Sequence, residues 1–417
     1  MVRHGLVLAL AVVAFVSVLL TAAEESVFQR APYLVMTAHP ETEITLRWRL
    51  TAAETSVARW GTTTTYTTGQ ATVPEMTSDH TCTLTLRGLL AGTQYFYAIS
   101  AGNEVKTGSF RTSPSTAADS LVFYGIGDPQ VAPCDDRFFP DVCGFMLQDV
   151  LKLPAERQTF CVVTGDWMLP SACISYALNY VNAYSTPRPH LPAPDSPERV
   201  DLWWDEWFTR AAGLPAALPF VGCVGNHDAD QGEPETMLAF PRNWPFPYVG
   251  GAYWSFSWGP AHFVVVDEYS PLESGTEQRR WLEAELRASR TAPWTIIVLH
   301  NAPVAPPRAL GQTEPDRSSL YADGIIGPLA VEYGVDLVLA GNSHCHSLWR
   351  LPEPHGTGVP VLVMAGAASY ELVRNILCRP AYYRFSIAGA SMRIEAELFD
   401  ALGQSVEKVE TLEIGQR

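Results

Sequence analysis

Six apolar runs in this sequence are built alike: LVFYGIGD, TFCVVTGD, LPFVGCVGNHD, AHFVVVDEY, WTIIVLHNAP and VDLVLAGNSHCH. Each reads as a strand of nearly unbroken aliphatic and aromatic residues, the pattern of strands buried on both faces by helices or a second sheet. Five of them end in residues able to hold a metal or a phosphate. These are Asp128, Asp166, the trio Asn226, His227 and Asp228, then His300, and the loop from Asn342 to His346. Ligands of open α/β folds gather at the carboxyl ends of strands, so one site can collect all five whatever their spacing in the chain. The shared position at a strand end is the signal.

Between two of these strands, TEQRRWLEAELRAS places Trp281, Leu282 and Leu286 on one face with charges elsewhere, and an amphipathic helix is expected there. The region before residue 112 has a different grammar. EITLRWRL, SVARWGT, HTCTLTLRGL, TQYFYAISA and VKTGSFRT alternate apolar and polar residues and are separated by turn residues, as in a small antiparallel sandwich. The expected organisation is a sandwich over 27–112, a polar linker over 113–119 and a second domain over 120–400.

Ahead of these lies MVRHGLVLALAVVAFVSVLLTAAEES, with Arg3, an apolar run and small residues before the first acids. It reads as a signal peptide over 1–23, implying a secreted or extracytoplasmic protein with no stable membrane span after cleavage, although an uncleaved anchor has similar grammar. The chain carries 28 Lys and Arg against 44 Asp and Glu, a formal charge of −16, which excludes a broad nucleic-acid surface. An anionic substrate would then need a local cation. Export leaves the eight cysteines open to disulfides or buried thiols. Cys82, Cys161 and Cys223 read as core, whereas Cys134, Cys143, Cys173 and Cys378 lie in loop-like sequence where one or two disulfides are expected.

Carboxylates, an amide oxygen and imidazoles together suit a pair of divalent first-row metals with one carboxylate shared between them. Taken singly, each residue has a plainer reading: a Gly-Asp as a turn, a lone His as a hydrogen-bonded loop residue, Asn-His-Asp as a helix cap. Five coincidences in one structural context favour the metal reading.

With these blocks in view, the chain resembles the calcineurin-like metallophosphoesterases. Within them it is most similar to the purple-acid-phosphatase branch, which also carries a fibronectin type III-like sandwich before the catalytic domain. The resemblance covers nearly the whole chain after residue 23, including YWSFSWGPAHFVVVD and EQRRWLEAEL. It implies an α/β (α+β) fold, a four-layer metallophosphoesterase β-sandwich flanked by helices, behind a small all-β domain. It also implies two divalent ions, zinc, manganese or iron, bridged by Asp166, with Asp128 and His344 on the first and Asn226 and His300 on the second. His227 would be the acid outside the coordination sphere, with Asp228 beside it fixing the imidazole tautomer and raising its pKa.

Three positions depart from the family pattern. Leu169 stands where iron-bearing members have a tyrosine, so a colourless protein is expected. Where many relatives have Asp-x-His, this chain has Asp128-Pro129-Gln130, and Gln130 either lends an amide oxygen to the first metal or only hydrogen-bonds. The usual Gly-His-x-His reads Gly341-Asn342-Ser343-His344, making Asn342 a weak oxygen ligand. His346 becomes a ligand only if the register shifts by two residues.

The expected function is hydrolysis of small phosphate monoesters by metal-bound hydroxide. A phosphodiesterase or nucleotide pyrophosphatase could use the same scaffold, and a binding or adhesion protein with impaired metal chemistry would also keep the fold. VDLWWDEWF and STPRPHLPAPDSP could line a substrate mouth, but Trp203, Trp207 and Phe208 have the helical spacing of core residues.

Overall fold

The computed structural model describes residues 26–416 apart from 75–76, 132–137, 153–158, 169–196, 212, 230–233, 304–321, 352–357, 368–370, 374–375 and 401–404. The leader, Leu169, Cys134, Cys173 and the segment 185–196 of the Pro-rich loop lie outside the described residues.

The alternating N-terminal runs become β1 (Phe28–Val35), β2 (Ile44–Leu50), β3 (Ser56–Gly61), β4 (Gly69–Val73), β5 (Thr81–Leu86), β6 (Gln94–Ala101) and β7 (Glu104–Arg111). One sheet runs β4-β3-β6-β7, and β1, β2 and β5 pair in a second. The inward residues close a core around Trp48, Tyr95, Tyr97 and Phe110. The Trp48 indole N–H, fully buried, donates to Ser56 Oγ at 3.0 Å, which offsets the cost of burying that donor.

The chain continues with β8 (Ser120–Ile126), β9 (Cys161–Val163), β10 (Phe220–Gly222), β11 (Trp254–Trp258), β12 (Ala261–Val265), β13 (Trp294–Asn301), β14 (Leu337–Gly341), β15 (Ser347–Leu351) and β16 (Val359–Val363). A ribbon of β17 (Glu371–Val373) and β18 (Ile376–Cys378) follows, then β19 (Ala381–Ala388), β20 (Ser391–Phe399) and β21 (Ser405–Gly415). One sheet has the order β11-β12-β13-β14-β16-β15, the other β21-β20-β19-β8-β9-β10-β1-β2-β5. The parallel pair Val35 with Phe220 thus joins the sandwich to the sheet of the second domain.

Rings fill the space between the two larger sheets. Phe123 stacks on Phe385 at 4.4 Å between centroids and meets Phe263 edge-on at 5.2 Å, while Phe256 stacks on Phe263 at 4.8 Å. On the far face of the six-stranded sheet, the helices Glu277–Ser289 and Ala322–Tyr333 bury Leu282, Leu286, Ile326, Leu329 and Ala330. The first of these helices is the expected amphipathic one, capped by Thr276, whose side chain accepts from Arg279 N. Helix Phe138–Lys152 packs near β19 on the other side. The parallel strands β8, β9, β10, β13 and β14 therefore lie between covering layers, which is why they read as continuous apolar runs.

The helix Pro197–Arg210 buries Trp203 and Trp207 as core residues, and Trp207 lies 5.5 Å from Trp167 and 5.4 Å from Phe220. The N-terminal sandwich grips a later helix, Pro234–Asn243, by its C-terminal end. Tyr33 OH and Arg47 Nη1 both donate to the Asn243 carbonyl at 3.0 Å, and Arg30 bonds to the Asn243 side chain and to Asp205. Such cationic donors suit carbonyls left free at a helix end. Ser113, at the start of the expected linker, is buried and its Oγ accepts from Gly259 N at 3.0 Å.

The cysteines differ from expectation. Cys143 is not in a loop; it lies in helix Phe138–Lys152 on the stripe formed with Phe139, Val142, Met146 and Val150, and is a buried free thiol. Cys82, Cys161 and Cys223 are also buried and free. Cys345 is disulfide-bonded, to none of these four.

Replacing Phe123 removes the ring shared by both sheets. Phe123→Ala should destabilise the protein by about 3–5 kcal/mol, read as a lowered denaturant midpoint; a change within about 0.5 kcal/mol would show that the inter-sheet ring stack contributes little.

Candidate metal centre

The strand ends converge as their shared position requires. Asp128 follows β8, Asp166 follows β9, Asn226 to Asp228 follow β10, His300 ends β13 and Asn342 to His346 follow β14. Seven non-glycine residues among those described have φ in the left-handed region, and five belong to these loops: Asp128 (33°), Gln130 (41°), Asp166 (52°), Asn342 (64°) and His344 (58°). Each costs backbone free energy for an L-residue. Such strain persists only where surrounding structure over-determines it, and its concentration at one spot marks a functional site.

Backbone hydrogen bonds lace the loops together. Gln130 N donates to Asp166 O at 2.7 Å, His227 N to Asp166 Oδ1 at 2.9 Å and Asn342 N to Asp128 Oδ1 at 2.9 Å. Asp228 accepts from Trp167 N at 3.1 Å, Met168 N at 3.3 Å and Gly225 N at 2.9 Å. Close approach sets the glycines. A Cβ on Gly225 would lie 2.1 Å from Asp166 Oδ1, and one on Gly341 2.7 Å from Asp128 Oδ2.

Two groups of donor atoms result. Asp128, Asp166 and His344 each place a ligand atom within 4.8 Å of the others. His300 Nε2 lies 3.3 Å from Asp166 Oδ1 and 3.0 Å from Asn226 Oδ1, and its Nδ1 stands 3.8 Å from Asp128 Oδ1. The fully buried His300 ring bonds through Nδ1 to the Thr164 carbonyl at 2.7 Å. A carbonyl only accepts, so Nδ1 carries a proton, and Nε2 faces two oxygens. Three electron-rich atoms meet there, and they stay together only around positive charge, either a proton on the imidazole or a cation among them. Binding one ring nitrogen to a backbone carbonyl is how proteins orient a metal-ligating histidine.

The electrostatics agree. Burial disfavours charged His300, but Asp166, by charge and hydrogen bond, then Asp128 and the Thr164 carbonyl raise its pKa to about 10. Burial also pushes Asp166 up, yet His300 and then His227 outweigh it and hold the carboxyl below the usual range. Burial raises Asp128 to about 6, Asp228 to about 7 and Glu268 to about 7. The pocket holds more carboxylate than its own cations neutralise, which suits a divalent ion. The oxygen and imidazole donors suit zinc, manganese or iron.

Gln130 takes the hydrogen-bonding one of its two expected roles, whereas Asp228 departs from expectation. Gln130 Nε2 donates to Asp166 Oδ2 at 3.0 Å, so this side chain orients the shared carboxylate through its amide N–H. Asp228 spends its carboxylate on backbone N–H groups and does not fix the His227 ring. His227 Nδ1 is buried without a partner among the described residues, and burial first of all lowers its pKa where a rise was expected. The physical reason is direction: Asp228 faces back into the loop carrying Trp167, while His227 Nε2 stands 3.8 Å from Asp166 Oδ2. His346 Nδ1 meets Tyr383 OH at 3.0 Å, and it is His344 that completes the three-residue group, the arrangement of the unshifted register. Asn342, exposed, donates through its amide to Asn301 Oδ1.

Glu268 escapes the sequence reading. It lies within AHFVVVDEY, the one run of the six whose acidic end is not counted, and its Oε2 accepts from His300 N at 2.8 Å and Asn301 N at 2.6 Å. Gln278 braces this loop from below by bonding both N–H and C=O of Asp267, at 2.9 and 2.8 Å.

Comparison with known proteins agrees with this geometry. Residues 124–346 match the model of the calcineurin-like phosphoesterases, and residues 30–112 that of the purple acid phosphatase N-terminal domain. The chain belongs to the calcineurin-like phosphoesterase family. A phosphoenolpyruvate phosphatase of Allium cepa is 26% identical over 266 residues, 61% of this chain and 47% of its own. Purple acid phosphatase 15 of Arabidopsis thaliana is 28% identical over 192 residues, 43% of this chain and 35% of that one. The chain thus spans about half or less of the length of these curated relatives. Among solved structures, a purple acid phosphatase from yellow lupin seeds (Lupinus luteus) superposes with a TM-score of 0.67 at 15% identity, covering 93% of this chain and 74% of that one. The structure of PhoD gives a TM-score of 0.68 at 14% identity, covering 93% and 89%. At such identities the likeness shows the fold of the family.

Gly225→Ala forces a methyl group against Asp166. Metal content by mass spectrometry should fall at least about tenfold with the far-UV spectrum unchanged, since displaced ligand support costs affinity in this range; full metal uptake would show that Asp166 tolerates displacement.

Proposed function

We propose that the protein is an exported phosphohydrolase that cleaves small phosphate monoesters at a dinuclear centre of zinc, manganese or iron. The observation that supports this reading is that one buried carboxylate, Asp166, is close both to Asp128 and His344 and to His300, which in turn meets Asn226. Divalent ions held by these residues would lower the pKa of a water and neutralise the phosphate oxygens. The names of the phosphatase relatives support the substrate class. The leader-like N-terminus and the Cys345 disulfide support export, because disulfides persist in oxidising compartments. No helix among the described residues is long and apolar enough to cross a membrane.

The chain's own residues divide the work. Asp128, Asp166, Asn226, His300 and His344 present ligand atoms, with Asn342 at the rim. Gln130 and the His227 backbone orient Asp166, Glu268 orients the His300 backbone, and Asp228 ties the Asp166 loop to the Asn226 loop. His227 is the side chain placed to pass a proton to the leaving group. Its ring is partly open to solvent beside Asp166, and its Nδ1 is committed to no partner among the described residues.

The test is an assay of an aryl monoester and an aryl diester with added manganese, zinc or iron. Metal-dependent monoester turnover is expected, falling about a hundredfold in His227→Ala with metal content retained. Turnover of the diester alone would replace the monoesterase reading, and no turnover with any metal would remove the enzymatic one.

A further inference from the structure

At the amino ends of β12 and β13, opposite the metal loops, lies a second group of reactive side chains. β11 alternates: Trp254, Phe256 and Trp258 are buried, while Ser255 and Ser257 take the other face. Ser257 pairs across the hairpin with His262 of β12, and its Oγ lies 2.8 Å from His262 Nδ1. On the other edge of the ring, Nε2 stands 2.9 Å from Glu285 Oε1 of helix Glu277–Ser289, off the line of a straight hydrogen bond. Ser255 Oγ donates to the same Glu285 oxygen at 2.8 Å and holds the carboxylate in place. The His262 contact above all, with Ser255 adding to it against burial, keeps Glu285 below the usual carboxylate range. An ionised carboxylate only accepts, so in the neutral ring the proton sits on Nε2 and Nδ1 accepts from the Ser257 hydroxyl.

Ser257, His262 and Glu285 all line one cavity of about 410 Å³, between the β11–β12 turn, the C-terminal end of the helix and Thr116. That is the size of a small-molecule site. Much of its remaining wall is apolar, from Pro260, Ala261, Ala288, Ala292 and Pro293, and no lysine or arginine is among the described residues that line it. Fastening the hairpin to the helix is achieved by Ser255 and Glu285. The relay onward to Ser257, and its opening on a cavity, are what that tie leaves unexplained.

We propose that Ser257, His262 and Glu285 form a second catalytic site, a serine esterase centre for small neutral carboxylic esters, with Ser257 as nucleophile, His262 as base and Glu285 as the positioning residue. A hydroxyl within reach of an imidazole, itself oriented by a carboxylate, is the arrangement that activates a serine. Attack of Ser257 Oγ on the ester carbonyl forms a new C–O bond while the hydroxyl proton passes to His262 Nδ1. The imidazolium so formed faces ionised Glu285, and a poorly aligned contact of this kind tightens once substrate is bound. The ester's own C–O bond then breaks, and the alcohol leaves with that proton. Water repeats the sequence on the acyl-serine, releasing the carboxylic acid and restoring Ser257. Glu285, with no cation in the wall to offset it, disfavours anionic substrates, so phosphate esters are excluded here. None of these three residues belongs to the metal-site reading, so the two stand or fall separately.

The experiment treats the full chain, kept in excess chelator, with an alkyl fluorophosphonate, and maps the adduct by peptide mass spectrometry. A label on Ser257 is expected in the folded protein and not after heat unfolding. Hydrolysis of p-nitrophenyl acetate, also in chelator, should fall at least about a hundredfold in Ser257→Ala and in His262→Gln, each with its far-UV spectrum unchanged. Glu285→Gln should slow labelling without moving it to another residue. Absence of the Ser257 adduct in the folded wild-type protein, which needs no variant to fold, would overturn the proposal. So would equal labelling in His262→Gln, or ester turnover that survives Ser257→Ala.

Discussion

Two carboxylates, Asp128 and Asp166, buried within a few ångströms of one another around one ligand-sized space, are the constraint on which the rest of this structure depends. Burying such groups costs several kcal/mol each unless opposite charge and hydrogen bonds compensate. The compensation here is local and extensive. Asp166 accepts from the His227 backbone and the Gln130 side chain and faces His300, while Asp128 accepts from the Asn342 backbone. Each donor belongs to a different strand end, so satisfying the two carboxylates fixes the relative positions of the loops after β8, β9, β10, β13 and β14. The left-handed φ values at Asp128, Gln130, Asp166, Asn342 and His344 are what those positions cost the backbone.

The remainder of the fold holds this arrangement rigid. Trp167, next to Asp166, is buried in an aromatic cluster, 5.0 Å from Trp244 and 5.5 Å from Trp207. Trp244 in turn lies 5.3 Å from Tyr33 of the N-terminal sandwich, whose arginines hold the preceding Asn243. Together with the continuous sheet through Val35 and Phe220, this makes the sandwich a brace behind the Asp166 loop. On the opposite side Gln278, buried at the start of its helix, bonds the backbone of Asp267 and sets Glu268 under the His300 loop.

Much of this was legible in the sequence because burial on both faces leaves a continuous apolar run, and the break at its end is conspicuous. Asp128, Asp166, Asn226, His300 and His344 stand out for that reason, as does the alternation of the N-terminal strands. What could not be read were directions and long-range partners. Asp228 adjoins His227 in the chain but turns back to Trp167 and Gly225, and no local pattern distinguishes those two outcomes. Glu268 was passed over since an acid beside Asp267 looks like ordinary loop sequence, and its role appears only when β13 is placed alongside β12. Cys143 looked loop-like because its helix, Phe138–Lys152, begins with two phenylalanines and a proline, with little in the first turn to announce it.

In the proposed function Asp166 is shared between two metal positions. A crystal structure of the zinc- or manganese-loaded protein, phased on the anomalous signal of the metal, tests it most directly. A shared Asp166 should give two peaks about 3.5–4 Å apart with an Asp166 oxygen in contact with both, one beside Asp128 and His344 and the other beside Asn226 and His300. A single peak away from Asp166, or metal bound elsewhere with His300 still bonded to Asp166, would contradict it.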